Sequence, residues 1–411
     1  MRKIFAIAAA TLTASAGAIG ALAPTASANT VGSSSTVHEQ HSCAAARPGW
    51  ASCDALHLVN GAGQSVGAGG TLQPSAAASG KPVSPRAISG KTPSDIQDAY
   101  KLTGKQSGGR TVAIVDANGY PNAERDLGVY RKQFGLSDCT EANGCLTVES
   151  QTGSTTSLPA TDVGWDQEQA LDLDAVSATC PDCKIVLVEA NSASMADLGA
   201  AENQAAKVPG VVAISNSYGG GDSPDSSYGK YFNHPGIAVT ASTGDDGYQG
   251  ASYPASSQYV TAVGGTTLTT ASNSRGWSES AWDGAGSGCT TSNQAPAGQD
   301  SSVTHCNGRA MADVSADADP NSGLAVYAPE TASTSSWSQY GGTSLSSPII
   351  ASVYALSGDT SGYPNAKPYA NSSALFDVTS GSNGSNQYWS NAGPGWDGPT
   401  GLGTPNGTAG F

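Results

Sequence analysis

Residues 184–214 open with Lys184-Ile185-Val186-Leu187-Val188, pass through a helical stretch over 194–206, and close on Val211-Val212-Ala213-Ile214. The two apolar runs are short and nearly free of polar residues, so each reads as a strand buried on both faces. Strand, helix and strand in that order point to a parallel sheet covered on both sides. Working outward, Thr111-Val112-Ala113-Ile114-Val115 is another buried strand, and residues 122–134 form a helix with Leu127, Tyr130 and Phe134 on one face. Residues 165–178 read as a further helix, and 236–240 and 259–263 as further strands. Upstream, Thr92-Pro93-Ser94-Asp95-Ile96 looks like a helix start. No internal repeat is visible. The expected fold class is α/β, one large domain over residues 91–411 with a mainly parallel central sheet.

The N-terminal part differs in texture. Met1-Arg2-Lys3, an apolar stretch over 4–23 and Ala26-Ser27-Ala28 form a secretory signal peptide over 1–28. That implies a secreted, extracellular chain without a membrane anchor, since no later segment is long and apolar enough to span a bilayer. Residues 29–90 are rich in Gly, Ala and Ser, and read as a short propeptide or spacer.

The formal net charge of −15, from 33 acids against 18 bases, argues against a nucleic-acid partner. Only 12% of residues are charged, so little repulsion builds up when carboxylates protonate, which suits an acidic medium. Eight Cys in an exported chain imply disulfides, expected as local pairs in sequence order. Cys180-Pro181-Asp182-Cys183 has no Cys/His partner set beside it, so a disulfide is expected there rather than a zinc site.

Three places carry chemistry. Gly341-Gly342-Thr343-Ser344-Leu345-Ser346-Ser347-Pro348 precedes the apolar run 349–356. A small-residue turn delivers Ser344 to the first turn of a buried helix, where the N-terminal dipole favours developing negative charge. Such a nucleophile needs a base, yet none of the five His stands in a catalytic motif. The helix over 165–178 holds Glu168 and Asp172 four apart on one face, with Asp174 about 240° round from Glu168. Like charges so spaced destabilise a helix, so the pair is either used or solvated. Ser242-Thr243-Gly244-Asp245-Asp246-Gly247 places an acid just past a strand, over the cleft where parallel sheets bind ligands. Turn chemistry alone does not separate Asp245 from Asp246.

These residues resemble the sedolisins, the serine-carboxyl peptidases of subtilisin-like fold. The likeness covers most of 91–411. Besides the segments around Glu168, Asp245 and Ser344, it includes Ser215-Asn216-Ser217-Tyr218-Gly219, Tyr253-Pro254-Ala255-Ser256-Ser257, Ala262-Val263-Gly264-Gly265-Thr266 and Asp313-Val314-Ser315-Ala316-Asp317-Ala318-Asp319-Pro320. It implies a three-layer subtilisin-like domain and a serine-type endopeptidase acting as a monomer on protein or peptide substrates. Ser344 is then the nucleophile, Glu168 its base, and Asp172 the partner that orients and proton-couples Glu168. Asp245 and the Ser344 N–H serve the oxyanion, and Ser217, Tyr218 and Gly219 bind substrate. A Glu base works near its own pKa and a carboxyl donor works only when protonated, so activity is expected at about pH 3–5.

The resemblance also implies one structural Ca²⁺ at the C-terminus. Its ligands would be Asp377, Asp397 and the carbonyls of Val378, Gly393 and Gly395, a hard oxygen set. It further implies a zymogen, but only about 60 residues separate Ala28 from the expected core, too few for a large folded prodomain. Two rival readings stand beside it. Asp116, ending Val112-Ala113-Ile114-Val115-Asp116, sits on a strand like that of the catalytic Asp in ordinary subtilisins and suggests an Asp-His-Ser peptidase. The other is a catalytically decayed, secreted binding protein.

Overall fold

The computed structural model describes residues 36–71 and 88–411. The expected leader over 1–28 lies outside the described residues. Three short strands come first, β1 (His38–His41), β2 (Ser52–Cys53) and β3 (Leu56–Val59). Helix α1 (Pro93–Ala99) begins at the expected signal. The Thr92 side chain accepts from the Asp95 N–H while Asp95 accepts from the Thr92 N–H, a reciprocal cap. The body then alternates β4 (Thr111–Ala117), α2 (Ala123–Gln133), β5 (Leu146–Ser150), α3 (Val163–Thr179), β6 (Lys184–Ala190), α4 (Met195–Ala205) and β7 (Val211–Asn216). It continues through β8 (Tyr218–Gly221), β9 (Ala238–Ser242), β10 (Ser252–Tyr253), β11 (Thr261–Thr270), β12 (Trp277–Ala281) and β13 (Val314–Asp317). The hairpin β14 (Leu324–Thr331) and β15 (Thr334–Gly341) leads directly into α5 (Thr343–Ser357).

The central sheet runs β12-β11-β9-β7-β4-β6-β5, with β13 also beside β11. Every pairing in it is parallel except β11 with β12. Alternation along the strands explains why both faces are covered. Ala113, Val115, Val186, Val188 and Ile214 pack with Met195, Leu198 and Ala201 of α4. Val112, Ile114, Leu187 and Ala213 turn the other way, onto Leu171 and Ala175 of α3 and Ile349, Ile350 and Val353 of α5. The result is the three-layer subtilisin-like arrangement. Central strand β4 is flanked by β6 on one side and β7 on the other, so the strand order reverses there and a crevice opens at the carboxyl ends.

The described part of the stretch expected as a short propeptide or spacer, residues 36–71, packs into this body. Cys53, Leu56, Leu58, Val59 and Val66 are buried. Strand β3 lies between β1 and β15, and β2 pairs with β8. Residue 91 is therefore not a packing boundary. β2 and β3 pair with strands far along the chain, β8 and β15, so no local pattern announces them. Four disulfides join Cys43–Cys53, Cys139–Cys145, Cys180–Cys183 and Cys289–Cys306, neighbours in sequence order.

Candidate active site

Helix α5 starts at Gly342, whose φ of 92° only glycine adopts freely. The turn sets Ser344 in the first turn of α5, fully buried. Ser344 Oγ donates to Glu168 Oε2 at 2.8 Å and stands 3.2 Å from the Ser217 carbonyl. Helix α3 packs against α5, which is how residues far apart in sequence meet. Glu168 and Asp172 are both completely buried. The solvated acidic face that their spacing alone would allow is thus not what the fold makes of them. Ser217 Oγ donates to Asp172 Oδ1 at 2.8 Å. Asp174 turns away, and its Oδ2 accepts from the Tyr327 N–H at 3.0 Å.

The electrostatics are those of acids crowded out of water. Burial, then Asp172 and Asp116, push Glu168 well above the ordinary carboxylate range. Burial and Asp116 do the same to Asp172. Asp116 is raised by burial and then by Glu189. Glu168 Oε1, Asp172 Oδ2 and both Asp116 oxygens find no protein hydrogen-bond partner. Uncompensated buried charge is costly, so such a cluster holds protons that side chains in water would have released. Among the described residues no His hydrogen-bonds to Ser344 or Asp116. His57 instead stacks on Tyr340, and burial lowers it to about 4.

The two candidate turn acids part company. Asp246 is exposed and lies 3.7 Å from His41. Asp245 is buried, and its Oδ1 accepts from the Thr343 N–H at 2.7 Å, with Thr343 Oγ1 at 2.8 Å. Asp245 Oδ2 has no partner, and burial followed by the nearby Asp54 raises this carboxyl well above the usual range. A methyl group placed on Gly342 would lie 2.5 Å from that Oδ2. The unpartnered Oδ2 edge of Asp245 thus faces the space beside the start of α5. Of the three expected substrate-binding residues, Gly219 lines a pocket with Asp54 and Asp245, Ser217 precedes β8 and hydrogen-bonds to Asp172, and Tyr218 is buried with its hydroxyl donating to Asn216 Oδ1 at 2.6 Å.

Asp54, which the sequence does not single out, enters the same crevice. Its N–H donates to the Ser217 carbonyl at 3.2 Å, and its own carbonyl lies 3.4 Å from the Ser344 N–H.

The subtilase family model matches residues 160–400. The chain belongs to the subtilase family. Its relatives set it on the sedolisin branch. It is 28% identical to sedolisin of Pseudomonas sp. (strain 101), over 77% of this chain and 60% of that one. It is 30% identical to kumamolisin of Bacillus sp. (strain MN-32), over 77% of this chain and 62% of that one. This subtilase therefore spans about three-fifths of the length of those relatives. The solved structure of Pseudomonas sedolisin with two molecules of pseudo-iodotyrostatin superposes with a TM-score of 0.65 at 28% identity, covering 78% of this chain and 96% of that one.

The C-terminal loops of this subtilase bring two more carboxyls together. Asp377 Oδ2 accepts from the Gly395 N–H at 3.0 Å, and Asp397 Oδ2 from the Gly393 N–H at 3.2 Å. Burial raises Asp397 to about 7, with Asp377 adding to the rise. Among the described residues no three His, Cys, Asp or Glu side chains converge on one point. A cation at this loop would rest on two carboxylates completed by backbone carbonyls.

Proposed function

We propose that this chain is a secreted, acid-active serine-carboxyl endopeptidase that cuts protein and peptide substrates through an acyl-enzyme on Ser344. The observation that carries the reading is the 2.8 Å hydrogen bond from Ser344 Oγ to Glu168 Oε2 inside a group of buried carboxyls. Ser344 Oγ attacks the substrate carbonyl carbon as Glu168 takes its proton. Glu168 then protonates the leaving amine, and water opens the ester with Glu168 again as base. Asp172, oriented by Ser217 Oγ, shares protons with Glu168 and keeps it aimed at the nucleophile. The Ser344 N–H and protonated Asp245 Oδ2 hold the oxyanion. Ser217, Tyr218 and Gly219 line up the substrate backbone. All these groups come from one chain, so no second subunit is needed. The Asp-His-Ser alternative lacks support, because among the described residues Asp116 has no His partner.

Secretion rests on the leader motif of residues 1–28, and four disulfides suit an oxidising compartment. No helix among the described residues is long and apolar enough to cross a membrane. A structural Ca²⁺ fits the C-terminal loops, since Asp377 and Asp397 both hydrogen-bond to the 393–395 turn, with backbone carbonyls available to complete an oxygen set. Asp377, Asp397 and the Val378, Gly393 and Gly395 carbonyls would hold it. It would tie the tail to the body.

The test is a pH–rate profile on a synthetic peptide for wild type, Ser344→Ala, Glu168→Gln and His234→Ala. An optimum at about pH 3–5 is expected, with the first two variants losing at least about 10²-fold and His234→Ala active. A wild-type optimum near about pH 8, where a His base works, would sink the proposal.

A further inference from the structure

The crevice described above holds part of this chain itself. Approaching it, the Ala51 N–H bonds to the Ala193 carbonyl at 2.8 Å. Ser52 and Cys53 pair antiparallel with Gly219 and Tyr218, and the Asp54 N–H reaches the Ser217 carbonyl. The Asp54 carbonyl then points at the N-terminus of α5, 3.4 Å from the Ser344 N–H. A methyl group placed on Gly342 would fall 1.9 Å from that carbonyl oxygen and 2.5 Å from Asp245 Oδ2, so both oxygens border one small space. Beyond it, Leu56 and His57 pair antiparallel with Gly341 and Tyr340. Strand pairing thus holds the chain on both sides of the Asp54–Ala55 bond. The carbonyl of that bond lies by the Ser344 N–H and shares its small space with Asp245 Oδ2, the two expected oxyanion donors. A strand that merely packs has no reason to place a carbonyl there.

Accepting Ser344 as the nucleophile, we propose that the Asp54–Ala55 peptide bond is the chain's own processing site, bound in its cleft as a substrate. Ser344 Oγ adds to the Asp54 carbonyl carbon and its proton passes to Glu168. The carbon–nitrogen bond breaks as Glu168 protonates the Ala55 nitrogen. Solvent water then hydrolyses the Asp54 ester, leaving a carboxyl on Asp54 and a free amine on Ala55. The Asp54 side chain shows what the pocket takes. Its Oδ2 accepts from Ser242 Oγ at 2.6 Å, with Gly219 and Ser252 beside it. Burial raises this carboxyl to about 7, and Asp246 adds to the rise. The pocket therefore suits a short acidic residue in its uncharged form. The Cys43–Cys53 bridge and the pairing of β1 with β3 fix the approach to the cleft, so less freedom is lost when the segment enters it.

The experiment follows the full purified chain at acid pH by intact mass and N-terminal sequencing, with a synthetic peptide as external substrate in parallel. Wild type is expected to yield a species beginning at Ala55. Its rate should not depend on protein concentration, because the bond sits in its own cleft. Ser344→Ala is expected to stay intact, and Asp54→Lys to slow the cut by at least about tenfold. External cleavage with Asp54–Ala55 left whole overturns the proposal while sparing the assigned activity. The same cut in Ser344→Ala, marking spontaneous acid hydrolysis, also overturns it, as does an Asp54→Lys chain processed at the wild-type rate. Loss of both cleavages overturns the assignment of activity and the proposal with it.

Discussion

Gly342→Ala tests the oxyanion geometry most directly, because it separates backbone strain from obstruction. At φ 92° and ψ 163°, a region occupied essentially by glycine alone, the alanine costs about 1–3 kcal/mol. In a domain of this size that lowers Tm by a few degrees. The new methyl would also lie 1.9 Å from the carbonyl oxygen now held there and 2.5 Å from Asp245 Oδ2. The first contact is with a backbone atom, so no rotation of a flexible side chain relieves it. A substrate carbonyl must then back away from both the Ser344 N–H and Asp245. Losing one such donor costs about 10²- to 10³-fold in kcat, so a fall in kcat/KM of at least about 10³-fold is expected. Gly276→Ala is the control. Its φ is 81° and a methyl there meets nothing within 4 Å, so it carries positive-φ strain without the obstruction. The assay pairs thermal melts with kcat/KM on a peptide at the acid optimum. A larger Tm loss in Gly342→Ala than in Gly276→Ala, with only Gly342→Ala inactive at temperatures where both are folded, is the expected result. A Gly342→Ala chain that cuts peptide within about threefold of wild type would show that the reacting carbonyl does not bind beside Gly342, and the oxyanion assignment would fall.

Asp245→Ala should lower kcat by about 10²- to 10³-fold while Asp246→Ala changes little, and the reverse ranking in steady-state kinetics would reassign the donor. Asp245 donates only while protonated, and burial with Asp54 nearby raises its pKa, so activity should fall as pH climbs through that raised value. Asp245→Asn, whose amide does not titrate, should keep activity further into the alkaline limb. Asp116→Asn removes a like charge that raises Glu168 and Asp172, so Glu168 should ionise at lower pH and the acid limb of the pH–rate profile should move down. Loss of activity at every pH would return Asp116 to the catalytic set. Chelation at neutral pH should lower Tm by mass action, and Asp397→Ala should reproduce the loss without chelator. Metal analysis finding no calcium, with melts indifferent to both treatments, would leave the loop as polar surface.

The sequence by itself determined the layered sheet, because strands buried on both faces must be continuously apolar, as 111–115, 184–188 and 211–214 are. It also determined that Glu168 and Asp172 share a helix face and that Asp174 does not join them, since helical period follows from backbone geometry. The disulfides fell in sequence order because each closes a short local loop. What only the tertiary structure decided concerns residues brought together over long separations. Ser344 meets Glu168 because α3 and α5 pack on the same face of the sheet. Asp245 and Asp246 are equivalent as turn acids, and only the Thr343 N–H at the start of α5 separates the buried one from the exposed one. Strands β1, β2 and β3 are too short and too polar at their ends to declare themselves. Strands β2 and β3 find backbone partners in β8 and β15, about 165 to 285 residues downstream, and β1 then pairs with β3. Asp54 was invisible for the same reason: its place beside Ser344 depends on hydrogen bonds from partners that no local pattern could name.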